Sequence, residues 1–188
     1  MISKKRLYKI QKSIVNEEKL IGKDSKIIKL PEKICNNINC YAYVLGIMQT
    51  FPYFSGLYNP GFTTSEITDF SSIDNFLNKV SEDLSNLNIK YRKFNIYDEI
   101  ILNNNEYLIQ VLYIPKSMEY YKFGSFHFSR KSKDGLWFSK MGWLYQPSFE
   151  KVDIIKKYNE YEHVNVKSDY CNVEYLRIGY FAISKKVI

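Results

Sequence analysis

Reactive side chains are scarce in this chain, with three cysteines and two histidines among 188 residues. Cys35, Cys40 and Cys171 cannot all pair, which argues against a disulfide framework. Cys35-x4-Cys40 together with His127 or His163 is a loose spacing for zinc, and no second close pair exists. No metal and no cofactor is therefore expected. Long apolar runs are missing as well, since no stretch approaches the ~20 residues needed to cross a bilayer. The N-terminus is basic, but Gln11, Lys12, Asn16, Glu17 and Glu18 interrupt any apolar leader, so a cytoplasmic protein without a membrane span is expected. Internal repeats, low-complexity tracts and linkers are also lacking. Acidic charge is in the minority, with 20 Asp and Glu against 27 Lys and Arg, for a net charge of +7. The excess gathers at Lys4, Lys5, Arg6, Lys9 and Lys12 and around Arg130, Lys131 and Lys133. Such a surface suits nucleic acid, anionic lipid or an acidic protein partner, and serves equally as a solvated face.

What is plentiful is aromatic and aliphatic side chains. Hydrophobic residues make up 45% and aromatics 16% of the chain, with 17 Tyr and 12 Phe. That composition fits one globular domain over 1–188, with 1–33 as a basic N-terminal extension and 34–188 as the core.

Periodicity predicts a basic helix within 3–18, with Leu7, Ile10 and Ile14 on one side, and irregular chain over 23–33. A helix capped by Asn36, Asn37 or Asn39 should then run from Cys40 until Phe51-Pro52 stops it. The stretch 52–65 reads as a long loop whose Tyr, Phe and Gly residues could line a substrate groove. The clearest helix is 72–87, where Ile73, Phe76, Leu77, Val80, Leu84 and Leu87 keep helical spacing. Strands are expected over 89–96, over Glu106–Ile114 and over Tyr175–Ser184. A hairpin of 123–131 and 136–143 should turn at Asp134-Gly135. Residues 148–161 read as a helix. The implied fold class is α+β, with N-terminal helices packed on a four- to five-stranded antiparallel sheet.

Two short segments carry the chemistry. Asn39-Cys40-Tyr41-Ala42-Tyr43 puts a cysteine where a helix should begin, and Gly124-Ser125-Phe126-His127 puts a histidine on a strand. A helix N-terminus and a neighbouring imidazolium both favour a thiolate over a thiol. Cys40 is thus the candidate nucleophile and His127 its base. Reflecting the hairpin about residues 133–134 sets His127 opposite Ser139 or Lys140. Ser139 can accept a hydrogen bond from the ring and protonated Lys140 cannot, so Ser139 is the candidate orienting residue. His163, Cys35 and Cys171 lack such settings. A buried structural cysteine and a hydrogen-bonded strand histidine remain the alternative reading of the pair.

Asn39-Cys40-Tyr41-Ala42-Tyr43, His127-Phe128-x-Arg130, Asp134-Gly135-Leu136-Trp137 and Tyr175-x-x-Ile178-Gly179-Tyr180-Phe181 together resemble papain-like cysteine peptidases. The nearest comparison is the subgroup containing NlpC/P60- and CHAP-like enzymes and small bacterial and phage proteins. The resemblance spans roughly 39–183. It implies a cysteine peptidase or amidase, or an acyl transferase, acting on a peptide or protein substrate. Asn36, Asn37 or Asn39, or backbone amides alone, would serve the oxyanion, with Tyr41 and Trp137 beside the substrate. In that group a histidine falls where Ser139 stands, which implies a weakened triad. The second reading is an inactive fold serving as a basic binding protein.

Overall fold

The computed structural model describes residues 2–22, 24–50, 58–64, 70, 72–115, 124–142 and 144–184. Four helices lie in the first half of the chain: α1 (Lys4–Ser13), α2 (Glu32–Cys35), α3 (Cys40–Val44) and α4 (Ile73–Asn86). Seven strands follow: β1 (Tyr91–Phe94), β2 (Glu106–Ile114), β3 (Ser125–Lys131), β4 (Trp137–Lys140), β5 (Pro147–Lys157), β6 (Glu162–Lys167) and β7 (Asn172–Ser184).

All pairings are antiparallel, in the order β1-β7-β2-β3-β4-β5-β6, and β6 pairs back onto β7. Six strands therefore close into a barrel, and β1 extends the far edge of β7. The 13-residue β7 makes this possible. One of its edges takes β2 over Leu176–Ser184, while the other takes β6 over Asn172–Arg177 and then β1 over Tyr180–Ile183. A bulge in the β2–β7 ladder between Val111 and Leu112 bends the sheet toward closure.

This closed barrel overturns the expectation of helices packed on an open four- to five-stranded sheet, and with it the papain-like fold class. Two sequence readings led there. Phe149, Val152 and Ile155 fall at three-residue spacing and mimic a helix, yet 147–157 is the strand β5. The periodicity marks no strand over 162–167, which is β6. Together these two strands supply the wall that closes the barrel.

Small barrels fill their interiors with side chains. Here Leu112, Ile114, Val164, Val166 and Tyr175 form one buried cluster, backed by Val152 and Val173. The larger cluster lies between the outer barrel wall and the helices. It includes Ile10, Leu20, Ile21 and Leu30, so the basic N-terminal segment is part of the packed core. An aromatic layer joins the two sides. Tyr41 packs on Phe128 with centroids 4.6 Å apart, and Phe76 sits 5.9 Å from Phe126 and 6.2 Å from Phe128.

Helix α3 is far shorter than its apolar spacing suggested. Gly46 takes φ +73°, its N–H donates to Tyr43, and the Ile47 N–H reaches back to Ala42. That is a Schellman cap, and it ends the helix well before Pro52. A side chain at position 46 would put Cβ 2.5 Å from the Val15 carbonyl oxygen.

Asp83 on α4 anchors the segment 58–64. It accepts from Gly61 N–H at 2.7 Å, from Thr63 N–H at 3.0 Å and Oγ1 at 2.6 Å, and from Tyr41 Oη at 3.2 Å. Burial raises its pKa to about 6, against the lowering effect of those donors. A raised carboxyl pKa means the folded state holds the proton more tightly than the unfolded chain. The group's contribution is therefore full below about 4 and is lost as pH rises through about 6, a change of about 3 kcal/mol. Asp83→Asn cannot titrate and presents one acceptor oxygen instead of two. The variant should be less stable below pH 4 by about 1–3 kcal/mol, and because it lacks the parent's decline between pH 4 and 6 that deficit should shrink or vanish above pH 6. Urea unfolding across that range checks this, and parallel curves for the two proteins would refute it.

Candidate functional site

Alternation along β3 sends Phe126, Phe128 and Arg130 toward the helices and His127 and Ser129 into the barrel. His127 is 1% exposed and stacks on the barrel-lining Tyr175 at 5.7 Å. The residue before the strand, Gly124, has φ +73°, and a Cβ there would fall 2.5 Å from the Phe70 ring. Only glycine lets the chain enter β3 so close to that aromatic.

His127 Nε2 lies 2.6 Å from Glu150 Oε1 and 3.0 Å from Ser139 Oγ. Ser139 and Ser129 each donate a hydroxyl to the same Glu150 carboxylate. Cys40 lies within interaction range of the His127 side chain, and its sulfur raises the pKa of the ring both as a hydrogen-bond partner and by its charge. With Nε2 occupied by Glu150 and Ser139, Nδ1 is the nitrogen left for the thiol. The geometry is thus a continuous run from Cys40 through His127 to Glu150.

A cysteine on an outer helix and a histidine facing the interior should not meet across a paired sheet. They meet here because the β3–β4 ladder has only two pairs, Arg130 with Phe138 and Lys131 with Trp137. Beyond them β4 stays paired to β5 alone as far as Lys140 and Pro147. Continued, the same register would set Ser139 level with Ser129. Ser139 therefore reaches His127 diagonally, not from directly opposite as the hairpin reflection had it.

Charge in the site is balanced. Burial presses the His127 pKa down. The Glu150 carboxylate and the hydrogen bonds to Cys40 and Glu150 outweigh this and leave it well above the usual value. Burial likewise presses Glu150 upward, but the imidazolium charge and the hydrogen bonds from His127, Ser129 and Ser139 hold it below the ordinary carboxylate range. The pair stabilises the fold above the ordinary Glu pKa. It does so until pH rises through the raised pKa of His127.

The other expected residues sit elsewhere. Asn39 caps α3, its Oδ1 accepting from Ala42 N–H at 3.1 Å and its Nδ2 donating to the Tyr58 carbonyl at 2.7 Å. Both ends of its amide are committed. Asn36 is exposed at the end of α2. Tyr41 is fully buried and bound to Asp83, so it faces the core and not a substrate. Trp137 is half-buried and stacks on Tyr180 at 6.4 Å. In the expected groove loop, Pro52–Leu57 and Ser65 lie outside the described residues, as do Phe123 and Trp143 of the hairpin. Tyr58, Gly61 and Phe62 pack against Gln49, Asp83 and Tyr41. Among the described residues no cluster of three or more His, Cys, Asp and Glu could hold a metal, and no helix is long and apolar enough to cross a membrane.

Glu150 escaped the sequence reading because it fell inside the supposed helix 148–161. The signal available was the strand alternation of Ser148, Glu150 and Val152, all turned into the barrel.

No family model matches the chain, and neither the curated proteins nor the solved structures contain a match. With the closed barrel, this removes the resemblance to papain-like and NlpC/P60-like cysteine peptidases as a guide to family and activity.

Glu150→Gln should keep the hydrogen-bonding shape while deleting the charge that holds His127 protonated. Its imidazole titration, followed by NMR, should drop by more than one pH unit. Glu150→Ala should cost about 3–5 kcal/mol, because it strands a buried cation. An unmoved His127 titration in Glu150→Gln would show that the carboxylate does not set the charge of the ring.

Proposed function

We propose that this chain performs thiol-dependent acyl transfer, to water or to another acceptor, with Cys40 as nucleophile. The observation that carries this reading is the run of interacting side chains from Cys40 to His127 to Glu150, in which Glu150 is hydrogen bonded to the ring. An acidic group bound to the far nitrogen of an imidazole fixes the ring's orientation and supports its positive form. An imidazolium beside a thiol favours the thiolate. In the proposed reaction Cys40 Sγ bonds to the acyl carbon and the carbonyl electrons move to oxygen. The bond to the leaving group then breaks, and His127 supplies its proton. In the second half His127 takes a proton from the acceptor, which attacks the thioester and frees Cys40. Ser139 joins Glu150 in holding the ring. A peptide or protein amide is one acyl donor compatible with this chemistry.

Iodoacetamide at neutral pH should label Cys40 at least about tenfold faster than Cys35 or Cys171. Cys171 is the more exposed thiol, so exposure alone would reverse that order. His127→Ala should slow Cys40 labelling by about 10²-fold, within the range for a lost acid–base partner. p-Nitrophenyl acetate should acetylate Cys40 and not the Cys40→Ala variant, as read by mass spectrometry of the intact chain. Labelling of Cys40 at the rate of an ordinary buried thiol, unchanged by His127→Ala, would overturn the proposal.

A second reading rests on α1, where Lys4, Lys5, Lys9 and Lys12 are all exposed. A basic face of this kind suits an acidic protein or nucleic acid, and salt-dependent binding of a duplex oligonucleotide tests it.

A further inference from the structure

Strand β4 alternates as β3 does. Ser139 turns into the barrel, while Phe138 and Lys140 turn outward beneath α3, where Phe138 meets the Tyr43 ring edge-on at 6.0 Å. Lys140 is fully buried, and its Nζ donates to the Gly142 carbonyl at 2.5 Å. Among the described residues no carboxylate pairs with it. A buried ammonium without a counter-charge is costly, so the groups around it matter.

Two thiols face it. Burial lowers the Lys140 pKa, and the charges of Cys35 and Cys40 act in the opposite sense. The two thiols are not equivalent. Cys35 Sγ donates to the Tyr145 carbonyl at 3.3 Å. A carbonyl can only accept, so the Cys35 thiol is engaged there as a donor. Cys40 is then the group whose negative charge can offset the ammonium. It already has His127 as a partner, placing one cation on the barrel side and another on β4. Of the asparagines expected to serve an oxyanion, Asn39 is committed to its cap, Asn37 donates its Nδ2 to the Lys33 carbonyl at 2.7 Å, and Asn36 is exposed at the end of α2. Lys140 retains two N–H donors beyond the one given to Gly142.

We infer that Lys140 is a second cationic positioning residue for Cys40. It stabilises negative charge on the sulfur and on the oxygen formed when the thiolate attacks. It also biases the site toward acyl donors that carry an anionic group near the scissile bond. This rests on Cys40 being the reactive thiol.

The test compares Cys40 alkylation by neutral iodoacetamide and by anionic iodoacetate in the full chain, for the parent, Lys140→Met and Lys140→Arg. A purely structural lysine would change both rates together. A local cation raises the iodoacetate rate selectively, so the ratio of the two rates reads the charge itself. Lys140→Met should lower that ratio by about tenfold, and Lys140→Arg should restore it to near the parental value. Lys140→Gln serves in place of Lys140→Met if the methionine variant does not fold. An unchanged ratio in a folded Met or Gln variant overturns the inference. So does a parental ratio no higher than that of 2-mercaptoethanol, a result that needs no variant at all. Cys40 reacting no faster than Cys35 would instead overturn the acyl-transfer reading. The two failures are therefore distinguishable.

Discussion

Side chains alternate across β3, and much of the molecule is organised around that seven-residue strand. Its outward residues, Phe126 and Phe128, are the floor on which Tyr41 and Phe76 pack, so they hold α3 and α4 in place. Its inward residues, His127 and Ser129, carry the polar cluster around Glu150. A slip of one residue would exchange these sets, burying an imidazole among phenyl rings and a phenyl ring against a carboxylate. The apolar packing of the helices and the chemistry of the interior are thus fixed by the same register.

Most buried charge is kept in matched pairs that join separate elements. His127 and Glu150 link β3 to β5, and Arg177 and Glu162 link β7 to β6 where the barrel closes. Arg130, 1% exposed, holds Glu17 from the N-terminal segment at 3.2 Å while lying 3.5 Å from the centre of the Tyr107 ring. Desolvating these groups costs several kcal/mol apiece, and the pairs recover that only with good geometry. Their value therefore lies more in specifying which strands meet than in added stability. The barrel interior itself is balanced, with Glu150 and Glu162 against His127 and Arg177. Lys140 and Asp83 are the exceptions, the one a buried cation under the helix that Cys40 opens and the other a carboxyl held by neutral donors.

Local signals were legible where they were dense. The helix over 73–86 and the strand over 106–114 follow directly from helical spacing and from an unbroken apolar run. The Asp134-Gly135 turn is likewise where the residues put it. Closure was not legible, because it depends on β5 and β6. Their alternation is diluted by exposed Ile154 and Ile155 and by a register shift between Ile154 and Lys156. Cys40 and His127 stand out by scarcity of type, so single residues sufficed to single them out. Glu150 is one acidic residue among many and acquires meaning only from the strand that carries it. The same holds for Gly46, whose αL conformation shortens α3 and leaves Cys40 on a five-residue helix. The helix macrodipole expected to assist the thiol is correspondingly small.

That shortness shifts the electrostatic work onto side chains. A long helix would polarise its first residue through many aligned peptide dipoles, whereas α3 has a single turn whose cap is already occupied by Asn39. Full charges on His127 and Lys140 act over the same distances far more strongly than a partial dipole. They can do so only because β3 and β4 part after two pairs, which leaves a gap in the barrel wall at the level of His127 and Ser139. A longer ladder would complete the wall and place the imidazole and the thiol on opposite faces of it. The interrupted pairing costs a few ladder hydrogen bonds, and it is what allows an interior acid–base pair to reach a side chain on the outer layer.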